Sequence, residues 1–246
     1  ESTIRKQVHN KHAAKDQSGM ICSGEQTILL FPVKEKEAPA IQGIIDCLQQ
    51  HHYGILELSP AGLRFDPGGI LPEGHDLVIA SPADWRYHGT VGYRQHLFII
   101  GGGHCALALS ELMSKLDFYI HLYEDRPGLH TLQENSFVHE LVTLEDYREL
   151  TARIPSGDRH YVVIMTVGYR TDDIAVRALL NKTFGYFGIL GSKTKIAKMF
   201  AGYLAEGIPQ AQLSRLHAPV GMSINSHTPE EIAISIAAEI IQVKNK

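Results

Sequence analysis

The chain has 246 residues, of which 44% are hydrophobic and 20% are charged, with a formal net charge of −4. This length and composition suit a globular protein of one large or two small domains. The acidic balance provides no basic stripe to displace counterions from phosphates, so we expect no nucleic-acid partner. No apolar run reaches the roughly 18 residues of a spanning helix, and the start lacks signal-peptide character. We therefore expect a cytoplasmic protein without a membrane span.

The cysteines and histidines give little sign of a disulfide or metal framework. Three cysteines, Cys22, Cys47 and Cys105, lie far apart and form no CxxC pair. Their odd number and wide spacing fit a reducing compartment. The histidines include no HExxH motif. The chain opens with Glu1 rather than Met, which we interpret as the mark of a fragment or a processed product.

The first part of the chain is predicted to be a smaller, truncated α+β region. Apolar periodicity predicts a strand at Gln26–Phe31, a helix at Ala38–His51, a hairpin at Gly54–Ser59 and Gly62–Phe65, and a strand at Leu77–Ala80. The polar, Gly- and Tyr-rich segment Ser81–Gln95 is predicted to be a linker. We place the domain boundary after residue 88, so that the α+β region with its linker spans 1–88 and a second domain spans 89–246.

The second domain alternates between strands and helices. The predicted strands are His96–Ile100, Phe118–Tyr123, a weaker one around Phe137–Val142, Tyr161–Thr166 and Gly185–Leu190. Alternation of this kind implies parallel strands joined by right-handed crossovers. The fold class that we predict is therefore α/β, with a Rossmann-type doubly wound parallel sheet.

A glycine-rich turn follows the first strand of this domain and opens an amphipathic helix. Its spacing, Gly101-x-Gly103-x-x-Ala106, is typical of dinucleotide binding, because the first glycine permits the tight turn and the second admits a pyrophosphate. The helix start also offers free N–H groups to an anion. We expect Gly101, Gly102, Gly103 and His104 to bind a nucleotide cofactor.

An acidic cluster ends the next strand, a little over twenty residues after Gly101. A carboxylate at this place accepts hydrogen bonds from ribose hydroxyls in dinucleotide-binding domains. Glu124 and Asp125 share that predicted role. Arg126 would pair with a 2′-phosphate or with the pyrophosphate of a larger nucleotide. The alternative is a turn that serves packing alone, followed by acidic residues that are merely solvated.

Two more loops are predicted to reach the same edge, because ligands of doubly wound sheets lie outside the carboxyl ends of the strands. After the fourth strand, we expect Thr171 or Asp172 to cap the next helix. After the fifth strand, a second glycine turn, Gly191-Ser192-Lys193, opens another helix with Ser192 as its cap. Phosphate binding and simple capping are both open at this turn.

The last segment is predicted to be an irregular loop followed by a well-specified helix. Thr228-Pro-Glu-Glu231 is a capping box with proline at the first helical position. The apolar stripe of this helix, which should seal it against the sheet, consists of Ile232, Ala233, Ile236, Ala237, Ile240 and Ile241. In the loop, His217 either faces the ligand cleft or is a satisfied structural residue.

Taken together, these segments resemble the xanthine dehydrogenase accessory family of the XdhC/CoxI type, over nearly the whole chain. The ordered motifs that carry the resemblance are Gly19–Glu25, Ile100–Ala108, Tyr123–Pro127, Gly188–Lys193, and Leu216–Met222 followed by Thr228–Ala233. Three features depart from the family pattern. Ser23 replaces a glycine of the cysteine motif, and the glycine- and cysteine-containing stretch expected upstream is missing. The loop Thr166–Tyr169 also lacks the histidine that often follows that strand in the family.

The resemblance implies a chaperone-like protein that binds molybdenum cofactor, as molybdopterin or its dinucleotide form, and inserts it into a xanthine dehydrogenase-type molybdenum hydroxylase. It also implies Cys22 as the thiolate near molybdenum, since soft sulfur suits such a metal. A buried, inert cysteine is the alternative. Family members resemble dimers, so we expect a homodimer.

Two other functions are open from the sequence. An NAD(P)-binding oxidoreductase would use the same glycine turn, but the first ninety or so residues contain no recognisable acid–base constellation. A regulatory protein would sense a nucleotide without chemistry. Because fold alone does not decide among these functions, we assign no catalytic residue.

Overall fold

The computed structural model describes residues 2–10, 15–18, 24–69, 71 and 75–246. The chain divides into two compact units, Glu1–Tyr93 and Arg94–Lys246. Cys22 and Ser23, with most of the predicted cysteine motif, lie outside the described residues.

The described residues of the first unit form two antiparallel sheets and one longer helix. Strands β1 (Thr3–Val8) and β2 (Glu25–Leu30) pair with each other. Helix α1 (Ala38–Gln49) follows a 3-10 turn at Glu35–Glu37. The remaining strands are β3 (Tyr53–Ser59), β4 (Gly62–Pro67), β5 (His75–Ser81) and β6 (Asp84–Gly92). They form a four-stranded antiparallel sheet in the order β4-β3-β6-β5, and α1 packs on β3, β4 and β6. This confirms an α+β region.

The prediction of a linker at Ser81–Gln95 was wrong. Most of this segment is β6, an inner strand that pairs with β3 on one side and β5 on the other. Its Trp85 is buried, with 4% of its surface exposed. The segment is rich in polar residues and glycine, which gives it a low intrinsic propensity for strands. The strand forms because it pairs with its neighbours in the sheet.

The second unit alternates strands and helices along its whole length. Its strands are β7 (Gln95–Ile100), β8 (Phe118–Glu124), β9 (Glu140–Thr143), β10 (Gly157–Ile164) and β11 (Phe184–Ile189). Its helices are α2 (His104–Met113), α3 (His130–Glu134), α4 (Leu150–Arg153), α5 (Tyr169–Leu179), α6 (Lys193–Ala205), α7 (Gln210–Leu213) and α8 (Pro229–Lys244). A 3-10 turn at Tyr147–Glu149 precedes α4.

The five strands form one parallel sheet in the order β11-β10-β7-β8-β9. The first strand in the sequence therefore lies at the centre, and the chain winds away from it in both directions, as in a doubly wound fold. The predicted fold class is confirmed. The third strand begins at Glu140, later than the predicted Phe137, and the fourth begins at Gly157, before the predicted Tyr161.

Helices cover both faces of this sheet. On one face, α2 and α8 contribute Leu109, Met113, Ile236 and Ile240 to a core with alternate strand residues. On the other face, α5 and α6 contribute Val176, Leu179, Ile196 and Met199. Strand β7 is buried on both sides, which explains its uninterrupted apolar run Leu97–Ile100. The predicted capping box at Thr228 and Glu231 starts α8 as expected.

Candidate functional site at the carboxyl edge of the parallel sheet

The carboxyl ends of β7, β8 and β10 meet around the first glycine turn. The Gly101 amide donates to the Tyr123 carbonyl of β8 at 2.8 Å, and the Met165 amide, just after β10, donates to the Ile100 carbonyl at 2.8 Å. These bonds bring together the turn, the acidic cluster after β8 and the loop after β10. The edge therefore has the arrangement in which doubly wound sheets bind ligands.

The three glycines of the turn have different surroundings. Gly101 has a φ of +106°, and a Cβ there would lie 2.5 Å from the Met165 carbonyl oxygen. A Cβ on Gly102 would lie 2.5 Å from the Leu132 side chain. A Cβ on Gly103 would meet nothing within 4 Å. The first two glycines are required by close packing, whereas Gly103 borders open space that a ligand can enter.

The amides that face this open space begin helix α2. Gly103 is the N-cap residue, and its carbonyl accepts from the amides of Ala106 and Leu107 at 3.0 and 3.1 Å. The amides of His104 and Cys105 precede the first intrahelical hydrogen bonds, so helix geometry leaves them available to an anion. Exposed His104 is the first helical residue. Of the residues predicted to bind a nucleotide, Gly103 and His104 therefore lie where amides are available to an anion, together with Cys105 that follows them.

Gly102 and Glu124 fasten the turn to the end of β8. The Gly102 amide donates to Glu124 Oε2 at 2.5 Å, and Thr131 donates its hydroxyl to the Gly102 carbonyl. The Glu124 side chain is 1% exposed. Both polar groups of Gly102 are thereby committed to the protein, and Glu124 fixes the turn from inside.

Arg126 donates most of the other hydrogen bonds that the Glu124 carboxylate accepts. Its Nε and Nη2 donate to the two carboxylate oxygens at 2.8 Å each, and its own amide donates at 3.0 Å. Burial alone would raise the pKa of Glu124, but the hydrogen bonds from Arg126, Asp125 and Gly102 outweigh it and lower the pKa to about 2. Glu124 is ionised, and its charge is balanced by Arg126.

Asp125 is the carboxylate at this edge that remains accessible. Its side chain is 28% exposed, and its Oδ1 accepts from the Tyr147 hydroxyl at 3.1 Å. Burial and the neighbouring Glu124 raise the pKa of Asp125, while burial and both carboxylates raise the pKa of Tyr147, which stays a donor. Of the two residues predicted to hold a ribose, Asp125 therefore has the more suitable position.

The second glycine turn is joined to the loop after β10 by a buried ion pair. Lys195, on the first turn of α6, donates to Asp172 and to the Leu190 carbonyl, the latter at 2.9 Å. Asp172 is fully buried, and its Oδ1 accepts from the Thr166 amide at 3.1 Å and hydroxyl at 2.6 Å. Ser192 caps α6 as predicted, by accepting from the Lys195 amide.

Lys193 lies exposed beside this turn, where an anion can reach its ammonium group. The prediction that Thr171 or Asp172 caps α5 was wrong, because Gly168 is the N-cap residue. Asp172 was missed as a buried partner of Lys195, and Tyr147 was missed altogether. The one sequence pattern that could have indicated the position of Tyr147 is the capping box of Asp146 and Glu149, which starts the 3-10 turn containing Tyr147.

His217 lies away from the first glycine turn, on the β11 side of the sheet. It forms a bridge with Gly188, its ring stacks on Tyr186 at 4.4 Å, and its Nδ1 lies 3.1 Å from Glu239 Oε1. Glu239 Oε2 also accepts from the Tyr186 hydroxyl at 2.5 Å and from the Gly221 amide at 2.7 Å. These contacts fasten the loop before α8 to the sheet, which is the structural alternative proposed for His217.

The part of the chain that the structure describes contains neither a candidate metal cluster nor a candidate membrane-spanning helix. No three His, Cys, Asp or Glu side chains in it form a cluster that could hold a metal ion. No helix in these ranges is long and apolar enough to cross a membrane.

The central β7, the glycine turn before α2 and the acidic residues after β8 define a Rossmann-type domain. Comparison with known families agrees, because the model of the XdhC Rossmann domain matches residues 97–240, which is more than half of the chain. The chain therefore belongs to the XdhC family.

Two individual relatives share 30% or less of their residues with this chain over the matched segments. The chain is 30% identical over 157 residues to an uncharacterised protein, YqeB, of Escherichia coli K12, a match that covers 63% of this chain and 28% of that protein. It is 25% identical over 153 residues to a probable xanthine dehydrogenase subunit of Bacillus subtilis 168, covering 62% of this chain and 44% of that protein. The chain thus spans less than half the length of these curated relatives.

A solved structure extends the likeness of fold to both units. The crystal structure of a protein from Bacillus halodurans, described as a xanthine dehydrogenase, superposes with a TM-score of 0.70 at 24% identity. The match covers 98% of this chain and 75% of that one.

Replacing Glu124 by Gln should test whether its carboxylate holds the glycine turn to the end of β8. The variant puts a neutral amide, with its own N–H donors, where a buried carboxylate accepts from Arg126 and from the Gly102 amide. We therefore expect a loss of about 2 to 4 kcal/mol in the free energy of unfolding at neutral pH. Asp125→Asn is the matched control, with an expected loss below about 1 kcal/mol. Urea unfolding at neutral pH measures both, and equal losses would contradict the assignment.

The same carboxylate predicts a pH dependence. Its pKa is about 2 in the folded protein against an ordinary value of 4.5, so its contribution is fully present above pH 4.5 and is lost as the pH falls towards 2. Urea unfolding of the wild type and of Glu124→Gln at pH 5, 4 and 3 should give stability differences that shrink with acidity. A constant difference would show that the charge is unimportant.

Replacing Lys195 by Met should be costly because it leaves the Asp172 carboxylate buried without its cation. We expect a loss of about 3 to 5 kcal/mol and a fall in Tm of about 10 °C. The exposed Lys193→Met serves as control and should change stability by less than about 0.5 kcal/mol. Thermal unfolding of the two variants distinguishes an internal ion pair from a solvated one.

Proposed function

We propose that this chain is the nucleotide-binding part of an accessory protein that binds molybdenum cofactor in its dinucleotide form and delivers it to a xanthine dehydrogenase-type molybdenum hydroxylase. The observation that carries the proposal is the open space at Gly103. The backbone amides at the start of helix α2 border this space. The space lies at the carboxyl edge of the parallel sheet, where Asp125 remains accessible. A diphosphate would accept hydrogen bonds from the amides of Gly103, His104 and Cys105, and a ribose would donate to Asp125.

The charge of the edge favours a nucleotide with a free 2′-hydroxyl. Arg126 donates to Glu124 at 2.8 Å, and its Nε also lies 3.7 Å from Asp125 Oδ1. One guanidinium thus faces two carboxylates, which leaves a local excess of one negative charge. A 2′-phosphate placed beside Asp125 would meet this carboxylate rather than an available guanidinium. A cytidine or adenine nucleotide without that phosphate therefore fits better than NADP.

The proposal treats the molybdenum cofactor as cargo. The Rossmann-type unit holds the nucleotide end, and the pterin end with its metal would extend from it. Cys22 is proposed as the thiolate that approaches the metal, by resemblance to the family's cysteine motif, and it lies outside the described residues. The metal's own chemistry is carried out in the recipient enzyme.

Apolar side chains on two loops of the second unit support delivery by protein contact. Val167, directly after β10, is 71% exposed, and Met222 and Ile224, before α8, are 41% and 48% exposed. Exposed apolar surface marks sites that bind other proteins where it is contiguous. We propose that the hydroxylase docks on loops of this kind, and that the complete protein is a homodimer.

The glycine turn gives a direct test of nucleotide binding. Gly103→Ala places a methyl group in the open space, so we expect at least about tenfold weaker binding of a nucleotide diphosphate and a change in stability below about 1 kcal/mol. Gly101→Ala should instead lose about 2 kcal/mol or more, because of its positive φ and the close Met165 carbonyl. Calorimetric titration with cytidine diphosphate and NAD, with thermal unfolding alongside, measures both effects.

The cargo is tested in protein purified from a molybdenum-replete host. The oxidised extract of the wild type should carry pterin fluorescence, and Cys22→Ala and Gly103→Ala should carry less. His130→Gln is the control, since His130 is 78% exposed and belongs to neither motif. Absence of pterin from the wild type would overturn the cargo, and NAD-dependent turnover of a substrate would favour an oxidoreductase.

A further inference from the structure

A second site lies at the opposite end of the parallel sheet from the glycine turn. A cavity of about 400 Å³ opens on the sheet face near the amino ends of the strands, and its lining includes His96, Phe98, His121, Arg153 and His160. Volumes of this size are typical of small-molecule sites. The proposed function leaves this cavity and its imidazoles unused.

Strand register explains why the imidazoles meet. His160 of β10 lies opposite His96 of β7, and Phe98 of β7 lies opposite His121 of β8. Residues two apart on a strand share a face, so the three imidazole rings and the Phe98 ring project from the same side of neighbouring strands. The rings of His96 and His160 are 5.5 Å apart, and those of Phe98 and His121 stack at 4.4 Å.

Hydrogen bonds order these groups into a chain. His121 Nδ1 lies 2.6 Å from Glu140 Oε2, and His96 Nδ1 lies 3.1 Å from His121 Nε2. An ionised carboxylate only accepts, so His121 donates from Nδ1 to Glu140 and, when neutral, accepts at Nε2. His96 must then donate from Nδ1, which leaves a lone pair on its Nε2.

Burial disfavours the charged form of both imidazoles in this chain. Burial, with neighbouring His121 and His160, lowers the pKa of His96 to about 4. Burial also lowers the pKa of His121, while Glu140 acts in the opposite direction. The lone pair of His96 Nε2 is therefore available throughout the neutral range.

The other charged and titratable groups around the cavity come from every neighbouring element. Arg153 of α4 lies on the cavity wall, where its Nε and Nη2 donate to Glu149 Oε2 at 3.1 and 2.7 Å. Tyr123 and Glu140 also lie within electrostatic reach of Arg153, and burial raises the pKa of Tyr123 to about 12. His160 Nδ1 lies 2.9 Å from the Pro155 carbonyl and so donates to it. His139 and Tyr119 stack beside His121, at 4.7 Å from each other. Arg153 is the cation nearest to an anion formed in the cavity.

We propose that this cavity binds a planar aromatic or heteroaromatic weak acid, with an acidic O–H or N–H, and that the chain His96–His121–Glu140 takes up its proton. The ligand's proton passes to His96 Nε2 while the Nδ1 proton of His96 passes to His121 Nε2. The products are a ligand anion, a neutral His96 and an imidazolium His121 that still donates to Glu140. Arg153 stabilises the anion through the N–H groups that its ion pair with Glu149 does not use, and the total charge is unchanged.

The probe is 4-nitrophenol, whose anion absorbs visible light and whose neutral form does not. At a pH about one unit below the dye's own pKa, adding the wild-type protein should produce a saturable rise in the anion band, with a bound anion-to-neutral ratio at least about tenfold above that in solution. Arg153→Gln should weaken dye binding. His130→Gln, outside the cavity, should behave as the wild type.

Two variants separate the relay from simple binding. His96→Gln removes the accepting lone pair, and Glu140→Gln removes the far carboxylate, whose side chain is 50% exposed and therefore tolerant of exchange. Each should abolish the protein-induced rise in the anion band while dye binding, followed by equilibrium dialysis, persists. No saturable binding to the wild type, binding without this rise, or an unchanged rise in a folded Glu140→Gln protein would each overturn the proposal. Failure of nucleotide binding at Gly103 would leave it intact.

Discussion

The hydrogen bond from the Gly102 amide to the buried Glu124 carboxylate is the contact on which the second unit's carboxyl edge depends. Two strands that are neighbours in the sheet end in loops of unrelated conformation, and this bond, at 2.5 Å, ties them together. A buried carboxylate is stable only when its charge and lone pairs are satisfied. Arg126 and the adjacent amides supply that compensation, which makes the whole edge one connected polar unit.

This arrangement divides the glycine turn into a structural half and an open half. Gly101 and Gly102 are closely packed, and the Gly102 amide donates to Glu124. Gly103 and the amides that follow it border open space. The same division applies to the acidic cluster, since Glu124 points inward and Asp125 remains accessible. The loop after β10 and the second glycine turn are held in a similar way by the pair of Asp172 and Lys195. Rigid inner contacts thus support an accessible outer layer, which is how precise binding sites are usually built.

The fold was predictable because it depends on local signals. Parallel strands buried on both faces read as continuous apolar runs, and the glycine turn has a spacing that sterics dictate. The direction in which a carboxylate points was not predictable, because Glu124 and Asp125 are adjacent and have the same chemistry. Strand β6 was mistaken for a linker because its stability comes from pairing with β3 and β5 rather than from its own residues. The ion pair of Asp172 with Lys195 joins two helices that are distant in sequence, and the meeting of His96, His121 and His160 arises from strand register. Sequence spacing reveals neither.

The most direct test of the account follows the backbone amides of the glycine turn by NMR while NAD or cytidine diphosphate is added. If the open half of the turn grips a diphosphate, the amide signals of Gly103, His104 and Cys105 should shift in a saturable manner. The Gly102 amide should move little, because its hydrogen bond to Glu124 is already made. Signals of Gly103 to Cys105 that stay fixed at saturating nucleotide, or a Gly102 amide that shifts most, would contradict the account.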